Sequence, residues 1–122
     1  MNYKKFKANK FSISMNGGWY LNAPGYSEMV IGCYDDTKLT FSLHFVEGEI
    51  PSNHLFREPE RLMIYFPKSD FNRIHNLLKE NKWMYAWFET EHKYAGITTR
   101  DISKIKLEEE FKELFRVPEY IE

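Results

Sequence analysis

Four histidines, one cysteine and a set of clustered carboxylates are the side chains of this 122-residue chain best suited to chemistry beyond packing. The histidines are His44, His54, His75 and His92, and no two of them are four apart on a helical pattern, the spacing with which imidazoles share a metal. Glu89, Glu91 and His92 could supply one to three ligands at a strand end, although the same residues also describe a solvated strand terminus. Together with His54 they define the one enzymatic reading the sequence leaves open, a small hydrolase or metal enzyme. As a nucleophile, Cys33 would need a neighbouring base and an oxyanion pocket. Its alternation with Met29 and Ile31 makes it a small core residue instead. Gly17-Gly18 is explained by a turn rather than by a phosphate-cradling loop. Glu108, Glu109, Glu110 and Glu113 crowd one polar face, the pattern of a solvated helix surface and not of a general acid and base. The expectation is therefore a protein without a catalytic residue, a metal or a cofactor.

Aromatic surface is what the chain has in excess. Three Trp, 8 Tyr and 10 Phe make up 17% of the residues, more flat apolar area than one small core requires. The densest stretch is Lys82 to Glu89. In a strand, alternate side chains face opposite sides, which puts Trp83, Tyr85 and Trp87 on one face and Met84, Ala86 and Phe88 on the other. Both faces are apolar, so such a strand has to be covered twice. Plain packing beneath a C-terminal helix and the 47–60 loop would do this. So would a protein partner, identical or not, because Trp, Tyr and Arg dominate interface energetics. A third cover is a nucleotide or single-stranded nucleic acid stacked on the rings, with Arg57, Arg61, Lys82, Lys93 and Arg100 near strand ends for phosphate. The residues expected to bind are accordingly Trp83, Tyr85, Trp87, Arg57, Arg61, Arg100 and His54.

The elements that would position these groups follow from periodicity and turn chemistry. Phe11, Ile13 and Met15 alternate with Ser12 and Ser14 as a half-buried strand. Asn16-Gly17 suits a tight hairpin turn, with Trp19-Tyr20-Leu21 returning antiparallel. Asn22-Ala23-Pro24-Gly25 suits a type II turn. Tyr26 to Tyr34 predicts a third strand, and from Lys38 the alternation of Leu39, Phe41, Leu43 and Phe45 with Thr40, Ser42 and His44 predicts a fourth. Residues 47–60, with two prolines and a glycine, read as a long loop of the kind that is often functional. Arg61 to Phe66 predicts another strand. Ser69 is placed to cap a helix whose stripe is Phe71, Ile74, Leu77 and Leu78, ending near Glu80. The aromatic strand comes next, then a short strand over Tyr94 to Arg100 with Gly96 as a bulge or close-approach point. A second helix is predicted from about Leu107, stopping before Pro118.

The pattern fits one α+β domain spanning 1–122, with a predominantly antiparallel sheet or partly open barrel, one packed helix and a C-terminal helix. At this length a single core buries about two-thirds of the unfolded surface. The lone cysteine excludes an intramolecular disulfide, and no apolar run nears the roughly 20 residues that span a bilayer. With no secretory pattern either, a cytoplasmic protein without a membrane role is expected. A net charge of −1 argues against a duplex-DNA binder held by a broad positive field. Charge is nevertheless uneven, with Lys4, Lys5, Lys7 and Lys10 at one end and six glutamates from Glu108 to Glu122 at the other. The 12 Lys against 5 Arg, with plentiful Asn, Ile, Phe and Tyr, suit the coding bias of an AT-rich bacterial or phage genome. The functional expectation is a small non-enzymatic binding protein, accessory or inhibitor in type. It would be a homo-oligomer engaging a protein partner through its aromatic sheet and the 47–60 loop, with nucleotide or single-stranded nucleic-acid stacking as the alternative.

Overall fold

The computed structural model describes residues 2–15 and 29–114, the last three by backbone alone. Within them run β1 (Tyr3–Ala8), β2 (Lys10–Met15), β3 (Met29–Asp35), β4 (Lys38–Val46), β5 (His54–Arg57), β6 (Glu60–Pro67), α1 (Phe71–Glu80), β7 (Met84–Glu89), β8 (Tyr94–Thr98) and α2 (Leu107–Leu114). The strands form a three-stranded sheet, β1-β7-β8, and a five-stranded sheet, β2-β3-β4-β6-β5. Every neighbouring pair is antiparallel except β4 and β6, which run parallel because the chain crosses over through β5 between them. The predominantly antiparallel α+β expectation holds, as two sheets and not a closed barrel.

Alternation decides which sides meet. On the five-stranded sheet Leu43 lies between Ile31 and Ile64, and Phe41 between Cys33 and Leu62, all at 0–1% exposure. Phe6, Ala8, Met84, Ala86 and Phe88 of the three-stranded sheet, with Ile74 and Leu78 of α1, complete the same core cluster. Phe45 stacks on Phe66 at 5.9 Å and meets Phe71 edge-on at 5.1 Å, which fixes the start of α1 against the sheet. Fully burying each such side chain is worth roughly 1.5–3 kcal/mol, so this interior carries the fold.

A single residue, Asn9, takes the chain from one sheet to the other. Its Nδ2 donates to the Asp36 carboxylate at 2.9 Å, its Oδ1 accepts the Asp36 N–H at 2.8 Å, and its own N–H donates to the Tyr34 carbonyl at 2.8 Å. That reciprocal clamp seats Asp36, which has φ 57°, in the β3–β4 turn, a conformation Asn and Asp tolerate better than most residues.

Several expectations are corrected. The basic segment at Lys4–Lys7 is a strand, because Phe6 and Ala8 face the core between the lysines. Residues 47–60 are not all loop: His54–Arg57 pair with Glu60–Met63. The Asn53 side chain pins this crossover, donating to the Lys93 carbonyl at 3.1 Å and accepting the Tyr65 N–H at 2.9 Å. Helix α1 follows a 3₁₀ turn over Lys68–Asp70; its N-cap is Asp70, not Ser69, and no side chain caps it. Asp70 instead pairs with Arg73 at 2.7 Å. Ile74 and Leu78 carry the burial of α1, whereas Leu77 is 37% exposed. Phe11, Ile13 and Met15, expected half-buried, are 36%, 41% and 79% exposed, because among the described residues β2 ends its sheet and the helix cover reaches it near Phe11, whose ring meets His75 at 6.2 Å. The Asn16-Gly17 turn, the Trp19–Leu21 strand, the Asn22–Gly25 turn, residues 26–28 of the third strand and the end of the second helix lie outside the described residues. Among those described, no helix is long and apolar enough to cross a membrane.

Candidate functional site

The seven residues expected to bind are not brought together. Trp83, Tyr85 and Trp87 share the outer face of the three-stranded sheet, and the chain itself covers them. Trp87 lies flat over Gly96, where a Cβ would come within 2.6 Å of the indole ring, so the glycine is required by close approach. Across the indole, Phe111 of α2 sits at 4.5 Å between ring centres and Tyr3 at 6.2 Å, and Tyr3 meets Phe111 at 5.5 Å. Ile102 and Leu107, buried to 4% and 2% exposure, lie outside the main core cluster. Tyr85 donates its hydroxyl to Asp101; burial first, then the Asp101 charge, pushes the phenol pKa up. The Asp101 carboxyl is held below its usual range by hydrogen bonds from Ser103, against burial and with help from Tyr85. The Lys7 ammonium stands 5.1 Å over the Trp83 ring, Lys5 donates to the Ile105 carbonyl, and Arg100 pairs with Glu110. All three Trp/Tyr side chains are thus half-buried, and Arg100 serves to tie α2 down.

At the end of the same strand, Glu89 is 1% exposed. Its carboxylate accepts the N–H groups of Glu91 at 3.1 Å and His92 at 2.7 Å, with the His92 ring nitrogen at 3.2 Å. Burial alone would raise its pKa, but the two amides and His92 outweigh it and hold the group below the ordinary glutamate value. Glu89, Glu91 and His92 have ligand atoms within 4.8 Å of one another. The buried carboxylate nevertheless already closes the β7–β8 turn, in which Lys93 takes φ 60°. Its geometry is that of a turn cap.

The outer face of the five-stranded sheet is built differently. β5 contributes His54 and Phe56, β6 Arg61, Met63 and Tyr65, and β4 Ser42 and His44; in register, His54 lies opposite Met63, Phe56 opposite Arg61, and His44 beside Tyr65. The Arg61 guanidinium stands 4.6 Å over the Phe56 ring, His54 meets Phe56 edge-on at 4.4 Å, and His44 and Tyr65 are 5.4 Å apart. Farther along, the Tyr34 ring lies over Gly32 towards Ser12. Among the described residues neither helix lies over this face: α1 packs on the inner side through Phe71 against Phe45, and α2 packs on the other sheet through Phe111. Of the expected residues, Arg61 and His54 fall here, while Arg57, opposite Glu60, alternates to the other side.

One pair on this face has the look of chemistry. Ser42 Oγ and His44 Nε2 are 2.8 Å apart, which suits a serine hydroxyl donating to a neutral imidazole. Burial pulls the His44 pKa down to about 4, so the ring is neutral near pH 7 and a weak base. The Tyr65 hydroxyl donates to the Met63 sulfur at 3.1 Å and does not orient the imidazole. Ser42 and His44 sit on a central strand whose amides serve the ladders to β3 and β6, which leaves none aimed at an oxyanion.

Ser42, His44, Phe56, Met63, Tyr65 and Tyr34 were absent from the expected set. Alternation from Lys38 did put Ser42 and His44 on the wet side; the adjacency of β4 and β6, made by the crossover through β5, had no local signal. Compared with protein-family models, curated proteins and solved structures, the chain matches none of them.

Proposed function

We propose that this chain is a small non-enzymatic binding domain, accessory or inhibitor in type, bacterial or phage in origin and cytoplasmic, that engages a protein partner through the outer face of its five-stranded sheet. One observation carries the reading: partly exposed Phe56, Met63, Tyr65 and His44 lie on a sheet face over which, among the described residues, neither helix packs, while Trp87 of the other sheet lies against Phe111 of α2. The residue types suit a protein, since aromatics, Met and Arg are enriched at interface cores. The 47–60 segment takes part by supplying His54 and Phe56 through β5. Base stacking on His44 and Tyr65 is the rival, but the guanidinium of this face, Arg61, already rests on Phe56, and a net charge of −1 gives phosphate little attraction.

The test is affinity recovery of the full chain from its native cells, compared with Phe56→Ala/Tyr65→Ala and with Trp83→Ala. A near-stoichiometric protein that falls by at least about tenfold with the double variant, and is kept by Trp83→Ala, is the expected result. A partner retained by the double variant overturns the reading. Binding of labelled single-stranded oligonucleotides at physiological salt, lost with the same variant, would assign the face to nucleic acid instead.

A further inference from the structure

The free edge of β2 points to a second copy of this chain. β2 is the end strand of the five-stranded sheet, and among the described residues nothing pairs with its outer edge. Sheet edges are ordinarily protected by shortness, proline, bulges or inward charges. At the opposite edge, β5 has only four residues and ends at Arg57 and the Glu58-Pro59 turn. β2 has six residues in regular register with β3, contains no proline or glycine, and carries its one charge at its first position, Lys10. It also exposes Phe11, Ile13 and Met15 on the side that faces the core elsewhere in the sheet.

The order of side chains selects the occupant. Phe11-Ser12-Ile13-Ser14-Met15 reads apolar, polar, apolar, polar, apolar from either end. An antiparallel copy related by a two-fold axis through Ile13 therefore sets Ile13 against Ile13, Phe11 against Met15 and Ser12 against Ser14. Like meets like on both faces at once, which is what an isologous contact requires. A shift of one residue would oppose apolar and hydroxyl side chains and turn the two inner faces to opposite sides. In the matched register the two Lys10 residues are offset by six positions, about 20 Å at strand rise, beyond the Debye length at physiological salt.

We infer that two copies pair through β2 about Ile13, joining their five-stranded sheets edge to edge, so that the exposed side chains of Phe11, Ile13 and Met15 are covered and the two outer faces become one surface. This pairing does not depend on which partner that surface binds. Sedimentation equilibrium of the full chain near 100 µM, where a micromolar Kd leaves the dimer dominant, should give twice the mass of the chain. Ile13→Lys, at an exposed position, should give a monomer with an unchanged far-ultraviolet spectrum. Ile13→Cys should join to a dimer with a short bis-maleimide, a readout that needs no destabilised variant and has little background because Cys33 is buried. Lys38→Cys, at the exposed first position of β4, is the control and should not join. A monomer at that concentration, a dimer that survives Ile13→Lys, or Ile13→Cys joining no faster than Lys38→Cys would each overturn the inference.

Discussion

On the three-stranded sheet Trp87 of the outer row lies against Phe111 of α2 and Tyr85 is tied to Asp101, whereas among the described residues the outer row of Ser42, His44 and Tyr65 on the five-stranded sheet has neither helix above it. The first row holds the tryptophans and would be chosen as the binding surface by composition; the second is mixed, with hydroxyls and imidazoles between its rings. Their fates are reversed because α2 needs an apolar seat and the indole of Trp87 supplies it. Aromatic density marks where apolar area must be covered, and the chain supplied its own cover for the denser side.

The largest effect that should separate the two rows is truncation. Trp87→Ala removes the seat of α2 and should cost about 3 kcal/mol, the low end for a tryptophan because the side chain is half-buried, measured by urea unfolding. Tyr65→Ala should cost about 1 kcal/mol. Equal losses would erase the distinction between a roofed and an open face. Next is Gly96→Ala, whose methyl would enter the Trp87 ring at 2.6 Å and should destabilise by about 1–3 kcal/mol. In a Trp87→Leu background most of that loss should vanish, since residues in contact couple; an additive double variant would show that the glycine is needed for another reason.

A pH-dependent effect belongs to the row on the five-stranded sheet. His44 titrates at about 4 in the folded chain against an ordinary value of 6.5. The unfolded chain therefore binds more protons between those values, so stability is full above pH 6.5 and declines as pH falls towards 4. With the ring partly exposed, the loss should be about 1–2 kcal/mol. His44→Gln keeps a hydrogen-bonding partner for Ser42 and should flatten the urea midpoint across that window, while Trp83→Ala should leave the slope unchanged.

How far residues could be read in advance depended on how local their cause was. The alternation of β4, the Ile74 and Leu78 positions of the α1 stripe and the close approach at Gly96 were legible. β1 was hidden because Lys4, Lys5 and Lys7 outweigh Phe6 and Ala8 in a short window. β5 was hidden between prolines. Arg61 and His54 were named as site residues, but their neighbours Phe56, Met63 and Tyr65 were not, since only pairing in register places them side by side. Glu89 read as a solvated terminus; the amides of Glu91 and His92 that hold it buried belong to the fold of the turn.

The aromatic strand shows where the division falls. By itself the sequence determined that Lys82–Glu89 is extended, that its two faces are both apolar and that each must be covered, because side-chain period and the aversion of large apolar area for water are local properties. Only the tertiary structure decided that α2 provides the second cover, that β4 and β6 lie side by side, and that among the described residues β2 ends the sheet with Phe11, Ile13 and Met15 exposed. Those outcomes depend on which distant segments meet, and loop entropy and core packing settle that for the chain as a whole.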